Sequence, residues 1–277
     1  MADEIISDPA ACHVDLAQIQ CKGSESDSCL TEPQVAVLKK IYAGPQTSSG
    51  TQIFPGFVPG SELGGGGWEP WITGAAPEKS LLFAFGTHFF ANMIFDDANW
   101  DFRKFNLEPD TKLADKKMAD TLNATDPDLR PFQKRGGKLI MYHGWSDAAI
   151  SPINSIHYYD SVVKKMGNGT SDFIKLFMVP GMQHCFMGPG PNSFGQLSSG
   201  PQGDPEHDVL SAVERWVESG EAPQKVIATK YVNDLPSQGS KMTRPLCPYP
   251  QVAAYNGNGD KKNDATNFAC ANPAASH

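Results

Sequence analysis

The chain has 277 residues, 40% hydrophobic and 19% charged, with 31 acidic against 23 basic side chains and a formal net charge of -8. This length and apolar share suffice to bury a core and exclude an intrinsically disordered chain. The acidic balance, with Lys-Lys pairs only at 39, 116, 164 and 261, excludes a phosphate-binding face, so no nucleic-acid partner is expected. No run of about 18 or more apolar residues occurs, and the opening MADEIISDP has neither a basic start nor an apolar stretch, so no membrane span and no signal peptide are expected.

Taken in chain order, Cys21 and Cys29 first bracket a short Gly/Ser-rich loop. Such a loop has little core of its own and is stabilised by covalent closure, so these two are expected to form a disulfide. EPQVAVLKKIYAG at 32 to 44 predicts a short helix with a glycine stop. The segment from 46 to 74 is crowded with Gly, Pro and aromatics, shows neither helical nor strand period, and is expected to be a long surface loop. EKSLLFAFGTHFFANMIF at 78 to 95 carries apolar residues at helical spacing, and TKLADKKMADTLN at 111 to 123 predicts a polar-faced helix. Beyond about residue 125 the order becomes regular: a strand at 138 to 144, a helix at 153 to 166, a strand at 173 to 179 and a helix at 206 to 220. Strand-helix-strand-helix implies an α/β fold with a parallel sheet covered by helices. Cys247 and Cys270 then bracket a Pro/Asn/Gly-rich tail and are the second expected disulfide. Cys12 and Cys185 have no obvious partners, and without a C-x-x-C pair no zinc site is indicated. No internal repeat is present.

The chemistry concentrates in KLIMYHGWSDAAISP at 138 to 152 and FIKLFMVPGMQHC at 173 to 185. Each is an apolar run that ends in a polar candidate, Asp147 and His184, at the same edge of the expected sheet. Alone, Asp147 reads as a turn or cap residue and His184 as a surface histidine. Together, acid before base, they suit the orienting and proton-transferring members of a Ser-His-Asp triad. The nucleophile is missing: no G-x-S-x-G precedes Asp147, and the chain reads as the rear part of an esterase. GWSDA imitates such an elbow, but its fifth position is Ala and its Asp already fits the acid, so Ser146 is read as a turn residue.

Four segments, GWSDAAISP, PGMQHC, QIFPGFVPGSE followed by GW, and FDDANWDF at 95 to 102, together resemble the tannase and feruloyl esterase family. These are α/β-hydrolases whose large lid lies between the half carrying the serine and the half carrying acid and base. They include esterases of gallate, ferulate and chlorogenate, and a hydrolase of the terephthalate half-ester. The resemblance implies a partial lid over 1–125 and the C-terminal portion of the α/β-hydrolase domain over 126–277, with Asp147 as triad acid and His184 as general base. Cys185 resembles a family cysteine bonded to one beside the serine, and Cys12 one bonded to a cysteine before a calcium loop; with neither partner in the sequence, both are expected to be orphan thiols. DEIISDP resembles the end of that calcium loop, where Asp3 would give a carboxylate and Ile5 a carbonyl, with Glu4 in place of the usual Gly. The resemblance therefore implies truncation within the lid, loss of calcium, no cofactor for catalysis, and no activity without a complementing N-terminal chain.

An aromatic (phenolic) acid ester is the expected substrate. Trp68, Trp71, Phe89, Phe90 and Phe95 are candidates for a lid surface that packs on its ring, with Trp68 and Phe90 first. A non-catalytic fragment that binds phenolic esters or a protein is the alternative. His88, His143 and His157 match no family role and are read as structural. Asn123 and Asn168 begin glycosylation sequons, and by resemblance the protein is expected to be secreted or periplasmic.

Overall fold

The computed structural model describes residues 5–197, 203–257 and 263–273. Among the described residues all strands lie after residue 138, and the part before it is built from helices and turns. Helix α1 (Glu32–Ala43) starts where Thr31 and Gln34 cap each other's backbone N–H groups and stops at Gly44, a reciprocal arrangement that satisfies two otherwise unpaired donors. Helix α2 (Leu81–His88) is capped by Ser80 and passes directly into wide π-type turns over Phe89–Phe95, which end where Asp96 takes a left-handed conformation. Helix α3 (Leu107–Leu122) begins four residues before the expected start, with Glu108 and Asp110 in its first turn, where carboxylates favour the helix dipole.

The segment from 46 to 74 departs from the surface loop expected of it. Val58, Ser61 and Trp68 are buried, and Glu69–Thr73 forms a π-type turn. Val58 and Trp68 are inserted between neighbouring elements while Phe54 and Leu63 stay exposed, so the missing period reflects irregular packing and not solvation alone.

After a short helix α4 (Arg130–Lys134), strand β1 (Leu139–Gly144), helix α5 (Pro152–Met166) and strand β2 (Ile174–Val179) form a parallel strand-helix-strand unit. Leu139 lies opposite Ile174 and Gly144 opposite Val179. Successive strand side chains point to opposite faces. Accordingly Leu139, Met141, Ile174, Leu176 and Met178 pack with Ile156, Tyr159 and Val162 of α5, whereas Ile140, Tyr142, Phe177 and Val179 pack on the other face against Phe194, Val226, Ala228 and Leu246. A ladder buried on both faces explains why these runs are nearly all apolar.

Helix α6 (Val209–Ser219) is capped by Asp208 and ended by the left-handed Gly220, in agreement with the helix expected at 206 to 220. The expected grammar stops there, and the chain does not. Strands β3 (Val226–Tyr231) and β4 (Ser240–Leu246) pair antiparallel, as do β5 (Val252–Tyr255) and β6 (Phe268–Ala271). These four strands were not anticipated. Two have only four residues, β4 contains Pro245, and Lys230 and Arg244 are buried charges in strand positions, so the usual alternation is obscured. Both expected disulfides are present, Cys21–Cys29 and Cys247–Cys270, the second joining the residue after β4 to β6. Cys12 and Cys185 are free thiols.

Candidate active site

The ladder carries two loops side by side beyond its C-terminal edge. Trp145 N–H donates to the Val179 carbonyl and Ser146 N–H to the Met182 carbonyl, both at 2.9 Å, so the loop after β1 continues along the loop after β2. Gly144 permits this approach: a Cβ there would lie 2.3 Å from the Met182 carbonyl oxygen.

Asp147 and His184 meet at the tips of these loops. His184 Nδ1 lies 2.8 Å from Asp147 Oδ2, and the carboxylate is buried while the imidazole is one-third exposed. Asp147 Oδ1 accepts backbone N–H groups from Ala149 at 2.7 Å and Ile150 at 3.0 Å. Burial pushes the Asp147 carboxyl up, but hydrogen bonding from His143, His184 and Ile150 N–H outweighs it and leaves the group below the usual carboxylate range;. An ionised acid therefore holds Nδ1–H and leaves Nε2 of the exposed ring available as a base. Ser146, beside it, is buried.

Three further groups shape the site; the sequence offered Trp71 as one of five aromatic candidates and assigned no role to Gln183 or Lys230. Gln183 is buried beside His184. Its Nε2 donates to the Leu63 carbonyl at 2.9 Å and its Oε1 accepts Gly66 N–H at 3.0 Å, which docks the Gly-rich loop of the N-terminal part onto the His184 loop. A Cβ at Gly66 would come within 2.7 Å of that Oε1, so the run of glycines is required for contact. The docked loop leads into the turn that stands Trp71 edge-on to His184, with ring centroids 4.9 Å apart. Lys230 Nζ donates to the Gly188 carbonyl at 2.6 Å and lies 2.5 Å from Asp234 Oδ1, bracing the far side of the His184 loop.

The aromatic expected first at the site is elsewhere. Trp68 is buried against Tyr42 with its indole N–H on Ser61 Oγ, and Phe90 packs with Phe89, Phe95, Trp100 and Phe105. Trp68 is interior packing and Phe90 sits half-buried in an aromatic cluster, while the contact to His184 belongs to Trp71, three residues beyond Trp68 on the same loop. His88 and His157 show no contact with the pair, whereas His143 does touch Asp147. Of the two residues expected in a calcium remnant, Asp3 lies outside the described residues. Ile5 sits near Ser7, Pro180, Pro191 and Arg244, and among the described residues no three His, Cys, Asp or Glu side chains are grouped to hold a metal.

A buried carboxylate and a one-third-exposed imidazole are thus held together above a parallel α/β ladder. The chain belongs to the tannase and feruloyl esterase family, whose profile matches residues 1–271. It is 42% identical to an uncharacterised esterase of Xanthomonas campestris pv. campestris, over 97% of this chain and 51% of that protein. It is 33% identical to the mono(2-hydroxyethyl) terephthalate hydrolase of Piscinibacter sakaiensis, over 92% of this chain and 44% of that protein. The crystal structure of feruloyl esterase B from Aspergillus oryzae superposes with a TM-score of 0.84 at 29% identity, covering 96% of this chain and 52% of that one. The chain thus spans about half the length of the curated relatives it matches.

Proposed function

We propose that this chain supplies the acid and the base of a Ser-His-Asp carboxylic ester hydrolase acting on aromatic acid esters. The observation that carries the reading is the 2.8 Å contact between Asp147 and His184 at the ends of two neighbouring strands. In this mechanism His184 Nε2 takes the proton of an attacking serine and returns it to the leaving alcohol, while Asp147 holds the ring in the Nδ1–H tautomer and stabilises the imidazolium. Trp71 lies where a substrate ring could pack beside the base, and it replaces Trp68 and Phe90 as the first candidate for aromatic recognition. No G-x-S-x-G stands in the 277 residues, so the serine and the oxyanion donors come from a second segment, and the chain has no turnover alone. The two disulfides support an oxidising compartment, secreted or periplasmic.

The test is hydrolysis of feruloyl, galloyl and terephthaloyl esters by the chain alone and by the chain co-expressed with a segment bearing G-x-S-x-G from a matched relative. Turnover is expected only in the second case and should vanish in His184→Ala. Activity of the chain alone that disappears in Ser146→Ala would overturn the reading.

A further inference from the structure

The base and the backbone are not the only polar groups at Asp147. Beside its Oδ2 stands a second histidine, His143, near the end of β1. Its Nε2 lies 3.2 Å from Asp147 Oδ2 and 3.2 Å from the Ile150 carbonyl oxygen. Its Nδ1 lies 2.7 Å from Ser155 Oγ on α5, and the side chain is 12% exposed. Both neighbours of Nε2 can only accept, so Nε2 carries a proton; Nδ1 faces the Ser155 hydroxyl, which can donate to it.

We propose that His143 is a positioning residue for the triad acid. Ala149 and Ile150 N–H bond Oδ1 and His184 bonds Oδ2, while the His143 ring, whose Nε2–H bonds the Ile150 carbonyl, stands 3.2 Å from Oδ2 as a fourth polar neighbour of the carboxylate;. A carboxylate held by the backbone on one oxygen alone can still turn about its Cβ–Cγ bond. A second ring beside Oδ2, itself anchored to α5 through Ser155, removes that freedom and keeps Oδ2 aimed at His184 Nδ1. The base then retains Nδ1–H and an unprotonated Nε2, the form needed to accept a proton. The inference rests on reading Asp147 and His184 as acid and base.

The experiment is nitrogen-15 NMR of histidine-labelled full-length chain at about pH 8.5, well above the ordinary imidazole value. Wild type is expected to show His143 as the Nε2–H tautomer and His184 as the Nδ1–H tautomer, with a downfield Nδ1–H proton. In His143→Leu the His184 Nδ1–H resonance should be lost to exchange and its nitrogens should move toward a tautomer mixture. In His143→Gln, which can place an N–H near the same point, the wild-type pattern should return. A merely structural His143 would lower thermal stability in His143→Leu and leave the His184 resonance and tautomer unchanged, and that result overturns the proposal. So does a wild-type spectrum with His143 protonated on Nδ1, which needs no variant to fold. Absence of the His184 Nδ1–H signal from wild type would instead sink the acid–base reading itself, and this inference with it.

Discussion

Replacing Gln183 by Ala should loosen the attachment of the N-terminal part to the His184 loop, and its cost can be worked from the contacts. The substitution removes two hydrogen bonds, to the Leu63 carbonyl and from Gly66 N–H, each worth about 1 kcal/mol net, and one buried methylene worth about 0.8 kcal/mol. The freed backbone groups would cost more if they stayed dry, but Leu63 is 86% exposed, so water can reach them. A loss of about 2–3 kcal/mol in urea-induced unfolding is therefore expected. Hydrogen exchange of a peptide spanning residues 62 to 68 should accelerate at the same time, because Gly66 N–H loses its acceptor. Gln183→Glu adds a sign. Ionised, the new side chain keeps an acceptor for Gly66 but opposes the Leu63 carbonyl with a second acceptor; protonated, it can donate to that carbonyl. Its folded pKa is thus raised, so its stabilising contact is present below the unfolded value of about 4.3 and lost as pH rises through the folded value. A loss under about 0.5 kcal/mol in Gln183→Ala, with unchanged exchange at 62 to 68, would refute the docking role.

Three further outcomes are expected. Cys247→Ser with Cys270→Ser opens a loop of sequence separation 23 and should cost about 3 kcal/mol by chain entropy; wild type denatured without reductant should show free thiols from Cys12 and Cys185 alone. Asp147 is held below its ordinary value in the folded state, so its contribution is present above the unfolded value near 3.9 and lost as pH falls through the folded one; the stability gap between wild type and Asp147→Asn should shrink on acidification below about pH 4, and a gap constant down to the acid limb would contradict the pairing. Calorimetric titration with calcium should show no binding in the micromolar range, and micromolar binding abolished by Asp3→Ala would restore a functioning metal loop.

What could be read in advance depended on whether a residue's partner is set by the chain's own period. The runs at 138 to 144 and 173 to 179 advertise a buried parallel pair because both faces are covered, and Asp147 and His184 stand out because each ends such a run. The disulfides were legible because each bracketed a segment poor in apolar residues. Gln183 was invisible: a single amide beside a histidine has no signature, and its partners lie about 120 positions away. Trp68 was ranked ahead of Trp71 wrongly, since the π-type turn that decides which of them reaches the imidazole leaves no period in the sequence. His143 passed for packing because its contacts run across a turn to Asp147 and onto α5. The antiparallel hairpins near the end were obscured by Pro245 and by buried Lys230 and Arg244.

The pairing of β1 with β2 also acts as a ruler. Asp147 lies three residues past Gly144 and His184 five past Val179, and those two residues are opposite each other. A slip of one residue between the strands would carry one tip about 3.3 Å past the other and would turn every apolar side chain of the shifted strand onto the wrong face. The spacing of acid and base is thereby tied to the burial of both cores, and a chain that folds at all must fold with them in reach. Length change is tolerable only where it leaves the ruler alone, in the connection from Gly167 to Asp172 between α5 and β2. Insertions there should be accepted, while a single residue added within 139–147 or 174–184 should cost the fold and the pair together.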